Sequence, residues 1–330
     1  MYKGLGLCVL FTIGGFLLTA LTGDRVSPLV FALVLGVIVG NLPMPWKSQS
    51  VEAGLKFSTR WLLRTGIVLF GFSVTMQQVF ALGPRIVVLD LLVIVTVLFV
   101  GYQLGTRWFK LDPETALLTS AGSAICGAAA ILATEATIRA RPATTSMAVA
   151  TVVLFGSLAM VVEPVLFSMI GWDQGLYGIY IGATVHEVAQ VVAAGNAIGP
   201  EALANAVVVK LVRVMLLVPF LLLVGRWWLN RHATRQDGTQ SVGKLTVPWF
   251  AFGFVAVALF NSVVTLPEAL HESLTLTGQI ALTMAMAALG YETRMSKLRA
   301  LGIKPFALAL MLFVLLIGGG LAVTPMIALA

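Results

Sequence analysis

His186, Glu187 and Gln190 stand together in residues 182 to 198, a run otherwise apolar enough to cross a membrane. Lys210 and Arg213 follow, three residues apart, in the next apolar run. Ionisable groups at that depth cost several kcal/mol unless paired or wetted, so by default they mark a functional pathway. Glu187 beside His186 can carry a proton, because burial favours a neutral carboxyl and neutral imidazole is cheap to desolvate. Lys210 and Arg213 can attract an anion, or they can pair with Glu187 and merely hold two helices together. His186-Glu187 also resembles the start of a His-Glu-x-x-His zinc motif. The second ligand position is Gln190, and His232 and His271 fall in loops, so an intramembrane metallohydrolase is the weakest reading. Gln190 lies four residues from His186 and three from Glu187 and can share a helix face with either; those two neighbours point about 100° apart.

The elements that carry these residues are membrane spans. Apolar residues make up 59% of the 330, charged ones only 11%, and the mean hydropathy is +0.98. Long apolar runs recur from end to end, which predicts an all-α polytopic membrane protein forming one transmembrane domain over 1–330. The pattern predicts about eleven spans, at 4–22, 27–43, 59–80, 84–106, 114–137, 144–170, 175–195, 203–229, 246–265, 272–293 and 301–328. With a cytoplasmic N-terminus, fourteen Lys and Arg fall inside and four outside, namely Arg25, Arg85, Arg139 and Arg141. That asymmetry obeys the positive-inside rule and puts the C-terminus outside. The net charge of +7 therefore reads as orientation, with no call for nucleic acid. The first span follows Lys3 but lacks a cleavage site of small residues, so it is expected to be retained. Cys8 and Cys126 are far apart within spans and imply no disulfide framework. The polar stretch 230–244 is expected to be a cytoplasmic linker between two halves.

Internal similarity suggests inverted repeats. Residues 71–83 align without gaps on 290–302, with five identities in thirteen. These segments end spans three and ten, an odd offset, so the copies would run in opposite directions. Span five against span ten is the other register, and the sequence does not choose. A second similarity, 122–134 against 182–194, pairs spans of the same direction and reads as shared small-residue composition.

Span five completes a plausible site. Residues 119–130 are nearly all small, with Gly122, Ser123, Cys126 and Gly127 at mid-membrane. A helix broken there would aim backbone N–H groups at a bound anion. A packing face of small residues is the equal alternative. Asp90, two turns into span four, could be a proton or cation ligand or make an interhelical hydrogen bond. Asn261 and Thr283 sit where cavities are often lined. Arg64 is expected to snorkel, and Glu163-Pro164 to mark a kink.

Four segments carry a family resemblance: 122–135 (GSAICGAAAILATE), 184–195 (TVHEVAQVVAAG), 210–219 (KLVRVMLLVP) and 285–290 (AMAALG). Over most of the chain from Arg60 onward it resembles the YeiH-type sulfate-exporter family of bacterial inner-membrane proteins. That resemblance implies a secondary transporter similar to the bile-acid and Na⁺/H⁺ antiporter fold, with inverted repeats and crossing broken helices. The expected function is alternating-access movement of a small anion, such as sulfate, a sulfonate or a carboxylate, coupled to H⁺ or Na⁺. Ser123, Cys126, Gly127, His186, Gln190, Lys210, Arg213 and Asn261 are the candidate substrate contacts. Glu187, His186 and Asp90 are the candidate coupling groups. No metal, other cofactor or enzymatic step is expected. The expected partners are the bilayer and the anion, with a homodimer open. A channel or membrane receptor is the alternative function.

Overall fold

A computed structural model describes residues 1–22, 27–42, 49–232, 249–292 and 302–328. Among these residues the chain is helical throughout, without strands. Six helices are long and apolar enough to cross a membrane, and shorter apolar helices stand beside them. Most of the 230–244 linker lies outside the described residues. So does most of 290–302, one arm of the first repeat alignment.

The helices are α1 (Tyr2–Leu21), α2 (Pro28–Asn41), α3 (Gln49–Phe57), α4 (Leu63–Phe70), α5 (Met76–Leu82) and α6 (Arg85–Gln103). A π-helical turn, Ser58–Leu62, joins α3 to α4. Then come α7 (Pro113–Ala124), α8 (Ala128–Ile138), α9 (Pro142–Ile170), α10 (Gln174–Thr184), α11 (Val188–Asn196), α12 (Pro200–Met215) and α13 (Leu217–His232). The last three are α14 (Trp249–Val263), α15 (Glu268–Glu292) and α16 (Ile303–Ala328). Within this set α12 and α13 join at Leu216 into one 29-residue apolar stretch, Pro200–Trp228.

The break expected in span five is present, a second one not read from the sequence lies in span seven, and the broken helices do not cross. Each is a hairpin that enters and leaves by the same face. At the base of the first, the Arg141 guanidinium donates to Glu114 (2.9 Å) and to Asp112 (2.8 Å), so the end of α8 returns to the start of α7. Glu114 beside it holds the exposed Arg141 guanidinium above its ordinary pKa range. Between these ends α7 and α8 pack on each other, with Gly122 against Ile131. Closure of the second hairpin is equally direct. Gly199 lies against Gln174, and the Asn205 amide donates to the Gly175 carbonyl at 3.1 Å. A helix of 12 residues rises about 18 Å, roughly half of a hydrocarbon core of about 30 Å.

The hairpins enter from opposite ends of the molecule. α9 joins them, and its 29 residues rise about 43 Å, from Arg141 at the base of the first to Trp172 at the base of the second. Along α16 the order is the same: Leu308 lies with Gly105 and Ala116 beside the first hairpin, and Gly320 touches Tyr180 and Thr184 of the second.

Local sequence explains the doubling. Asp112 and Asp173 each cap a helix by accepting the backbone N–H three residues on, at 3.1 and 2.8 Å. The first arms stop at Ile125 and Val185, and the second arms start from Gly127 and Glu187, both pairs sixty residues apart. Pro142 and Pro200 then open the helices that follow. The similarity of 122–134 to 182–194, read from sequence as shared composition, is therefore the structural repeat. Its two copies point in opposite directions because each hairpin turns back.

Candidate functional site

The hairpin tips meet at α12. Each tip exposes the last carbonyls of one half-helix and the first N–H groups of the next, groups that need partners when buried. The fully buried Lys210 ammonium donates to Ile125 O and to Val185 O, both at 2.7 Å, joining the two first arms. Arg213, one turn on and also fully buried, donates to Ala124 O at 3.4 Å and to Gly182 O. Both cations thus sit at the C-terminal, negative ends of helix dipoles. The Glu187 carboxylate accepts the Ala128 N–H at 3.2 Å, at the positive start of α8. Every charge at the tips faces a helix end of opposite sign or an opposite charge.

Arg213 finds its carboxylate in Asp90 of α6, Nε to Oδ1 at 3.1 Å, both side chains fully buried. The expected pairing of Glu187 with Lys210 or Arg213 is absent among the described residues. Asp90, read from the sequence as a proton or cation ligand or an interhelical hydrogen bond, makes that interhelical bond as the counter-ion of Arg213.

Gly127 shows how tightly the tips fit. Its φ of +69° lies in the left-handed region, and a Cβ there would collide with the Glu187 side chain. Glycine is required twice over, by backbone conformation and by the approach of the second tip. Gln190 turns back at the start of α11, its Oε1 accepting the Glu187 N–H at 3.1 Å. The same amide rests on Gly156 of α9, where a Cβ would displace it.

Three polar atoms of the tip residues are buried without any partner: Ser123 Oγ, His186 Nδ1 and Gln190 Nε2. Thr119 Oγ1, one turn before Ser123, and Asp90 Oδ2 share that state. Buried polar atoms are nearly always hydrogen-bonded, so these atoms call for partners that the described protein groups do not supply. Cys126 is buried in the first break. Asn261 is not brought to the tips. Its amide donates to Phe72 O and Val74 O, at 2.9 and 3.2 Å, where the end of α4 unwinds, and His271 reaches the same Phe72 carbonyl. Among the described residues no three of His, Cys, Asp and Glu gather as metal ligands would. A hollow of about 290 Å³ at α5, α6 and α12, lined by residues such as Phe80, Ile86 and Val212, contains none of the candidates.

Sequence reasoning took Glu163-Pro164 only as a kink, whereas Glu163 is fully buried on α9 against Tyr177 and Thr184 of α10. The available signal was a carboxylate in mid-span with hydroxyls spaced along one face of the next apolar segment.

The family model for Conserved hypothetical protein 698 matches residues 3–309. The chain belongs to that family. A UPF0324 membrane protein of Pseudomonas aeruginosa is 46% identical over 303 residues, covering 90% of this chain and 85% of its own. The UPF0324 inner membrane protein YeiH of Escherichia coli K12 is 41% identical over 325 residues, covering 97% and 92%. A Yersinia pestis UPF0324 membrane protein is 44% identical over 299 residues, covering 88% and 82%. No solved structure matches. The resemblance drawn from the sequence motifs is therefore sound at the level of family, and the chain is a multi-pass helical membrane protein of the UPF0324 group.

Proposed function

We propose that this chain is a secondary transporter that moves a small anion by alternating access, with its binding site at the meeting hairpin tips. One observation carries the reading: two half-membrane hairpins converge from opposite faces on a buried set of unpartnered Ser123, His186 and Gln190 atoms. Re-entrant segments with helix termini at mid-membrane suit ions, because non-helical backbone is tolerated at that depth only inside protein or along a cavity. The Gln190 amide, the Ser123 hydroxyl and the N–H groups opening α8 and α11 that Glu187 does not take favour an anion. Lys210 and Arg213 act indirectly in this account. They hold the carbonyl ends together, and the local potential they set offsets Asp90 and Glu187. Sulfate, a sulfonate or a carboxylate fits such donors, with H⁺ or Na⁺ as the coupling ion.

In this reading the membrane is crossed nine times by the described helices, since the hairpins turn back. Arg139 and Arg141 then join the Lys- and Arg-rich face, leaving Arg25 and Arg85 opposite. The charge asymmetry is stronger than under eleven spans and favours a cytoplasmic N-terminus. The name of the Escherichia coli relative supports the inner membrane as location.

Glu187 is the proton-sensitive group of the site, with His186 beside it. Glu187→Gln keeps an acceptor for the Ala128 N–H but removes the charge. In proteoliposomes carrying a pH gradient and tested with sulfate, sulfonates and carboxylates, this variant is expected to retain anion exchange and lose gradient-driven accumulation. Accumulation with undiminished dependence on the gradient would remove Glu187 from coupling. Unitary currents in planar bilayers would replace the transporter with a channel.

A further inference from the structure

Glu163 lies outside the tip cluster, yet it is as buried as Arg213 and has no cation partner among the described residues. Its Oε2 lies 3.0 Å from the Tyr177 hydroxyl, and its Oε1 lies 3.5 Å from Thr184 Oγ1. Each of those hydroxyls has one hydrogen to give. Tyr177 is nearer to the Glu163 backbone carbonyl, at 2.9 Å, and Thr184 is nearer to the Tyr180 carbonyl, at 2.7 Å. Tyr180, which also faces Glu163, donates to Ile317 O of α16 at 3.2 Å. The backbone thus takes the Thr184 hydrogen and shares that of Tyr177 with Oε2, so an ionised carboxylate would have only one shared hydrogen bond between them. Charged groups on the neighbouring elements are engaged elsewhere or make no ion pair with it. Glu114 pairs with Arg141, Arg213 pairs with Asp90, Glu187 caps α8, and Glu135 and Lys304 form no pair with Glu163. An unpaired buried charge is costly, whereas an O–H on Oε1 would donate to the free lone pairs of Thr184.

We infer that Glu163 is a proton-binding site, its carboxyl held as the neutral acid by the hydroxyls of Tyr177 and Thr184 while the second hairpin is docked on α9. Thr184 is the last residue of α10, next to the tip, so displacement of the hairpin would open this cage. Water would then enter, and the Glu163 O–H bond would release one proton to it. Docking again would require one proton to be taken up. This coupling consequence rests on the transporter reading; the proton site itself does not.

Infrared spectra of the full chain in lipid test the site directly. At neutral pH, Glu163→Gln should remove one protonated-carboxyl C=O band, and Tyr177→Phe should shift that band by deleting a hydrogen bond. Loss of a carboxylate band in Glu163→Gln would overturn the proposal, as would no change in the acid region in a folded variant. Should Glu163→Gln fail to fold, Tyr177→Phe decides alone: a shifted acid band supports the site, and an unshifted spectrum overturns it. In flux assays Glu163→Gln should lose at least tenfold in gradient-driven anion uptake. If the wild-type chain moves no tested anion, the transporter reading fails and the infrared result alone decides the proton site.

Discussion

Lys210→Met is expected to lower the unfolding free energy of the detergent-solubilised protein by about 2–6 kcal/mol. The substitution keeps most of the aliphatic chain and deletes only the ammonium. Two buried carbonyls, Ile125 O and Val185 O, then lose their donor. Each unsatisfied buried group costs about 1–3 kcal/mol, and here both belong to helix ends whose dipoles were also compensated. Because the two carbonyls come from different hairpins, the loss falls on their association. Hydrogen exchange should rise at both breaks while α1 to α4 keep their protection. Unchanged stability would mean that the ammonium does not hold the tips.

The second large effect is at Arg213 and Asp90. Arg213→Met is expected to cost about 3–5 kcal/mol, because it strands the Asp90 carboxylate in a fully buried place. Asp90→Asn should cost less, since Arg213 keeps Ala124 O and Gly182 O as acceptors. The double variant should fall short of the sum of the two by at least about 1 kcal/mol, the sign of direct coupling between contacting groups. Chemical unfolding of the four proteins measures this. Strict additivity would show that the pair does not act as a unit.

Much of the candidate site was legible because membrane burial makes polar residues conspicuous. His186, Glu187, Lys210 and Arg213 stood out by type, and Gly122 to Gly127 by lack of side chains, and the structure draws all of them to one place. Their partners were not legible. Lys210 and Arg213 are satisfied by backbone carbonyls, which leave no trace in a sequence, so an anion or Glu187 was the natural expectation. Asp90 lies 123 residues from Arg213, with nothing in the spacing to connect them. The difference between eleven apolar runs and the nine crossings proposed here has a physical reason as well. Hydropathy records that α7 and α8 are apolar but not that the chain reverses at Gly127. Two hairpin arms of 12 and 11 residues therefore look like one ordinary span. The clue lay in the duplicated Asp caps, breaks and Pro starts about sixty residues apart. Reading it required giving up the assumption that each apolar run crosses.

Reversal of both hairpins is the centre of this account, and sidedness measures it. Single cysteines at the exposed positions Lys110, Arg139, Asp173 and Glu201 can be placed in a Cys8→Ser, Cys126→Ser background. Each is then labelled with a membrane-impermeant thiol reagent in right-side-out and inverted vesicles. Lys110→Cys and Arg139→Cys should label from one face, and Asp173→Cys and Glu201→Cys from the other. Labelling of Lys110→Cys and Arg139→Cys from opposite faces would mean that 113–138 crosses the membrane, and the meeting of two re-entrant tips would be contradicted.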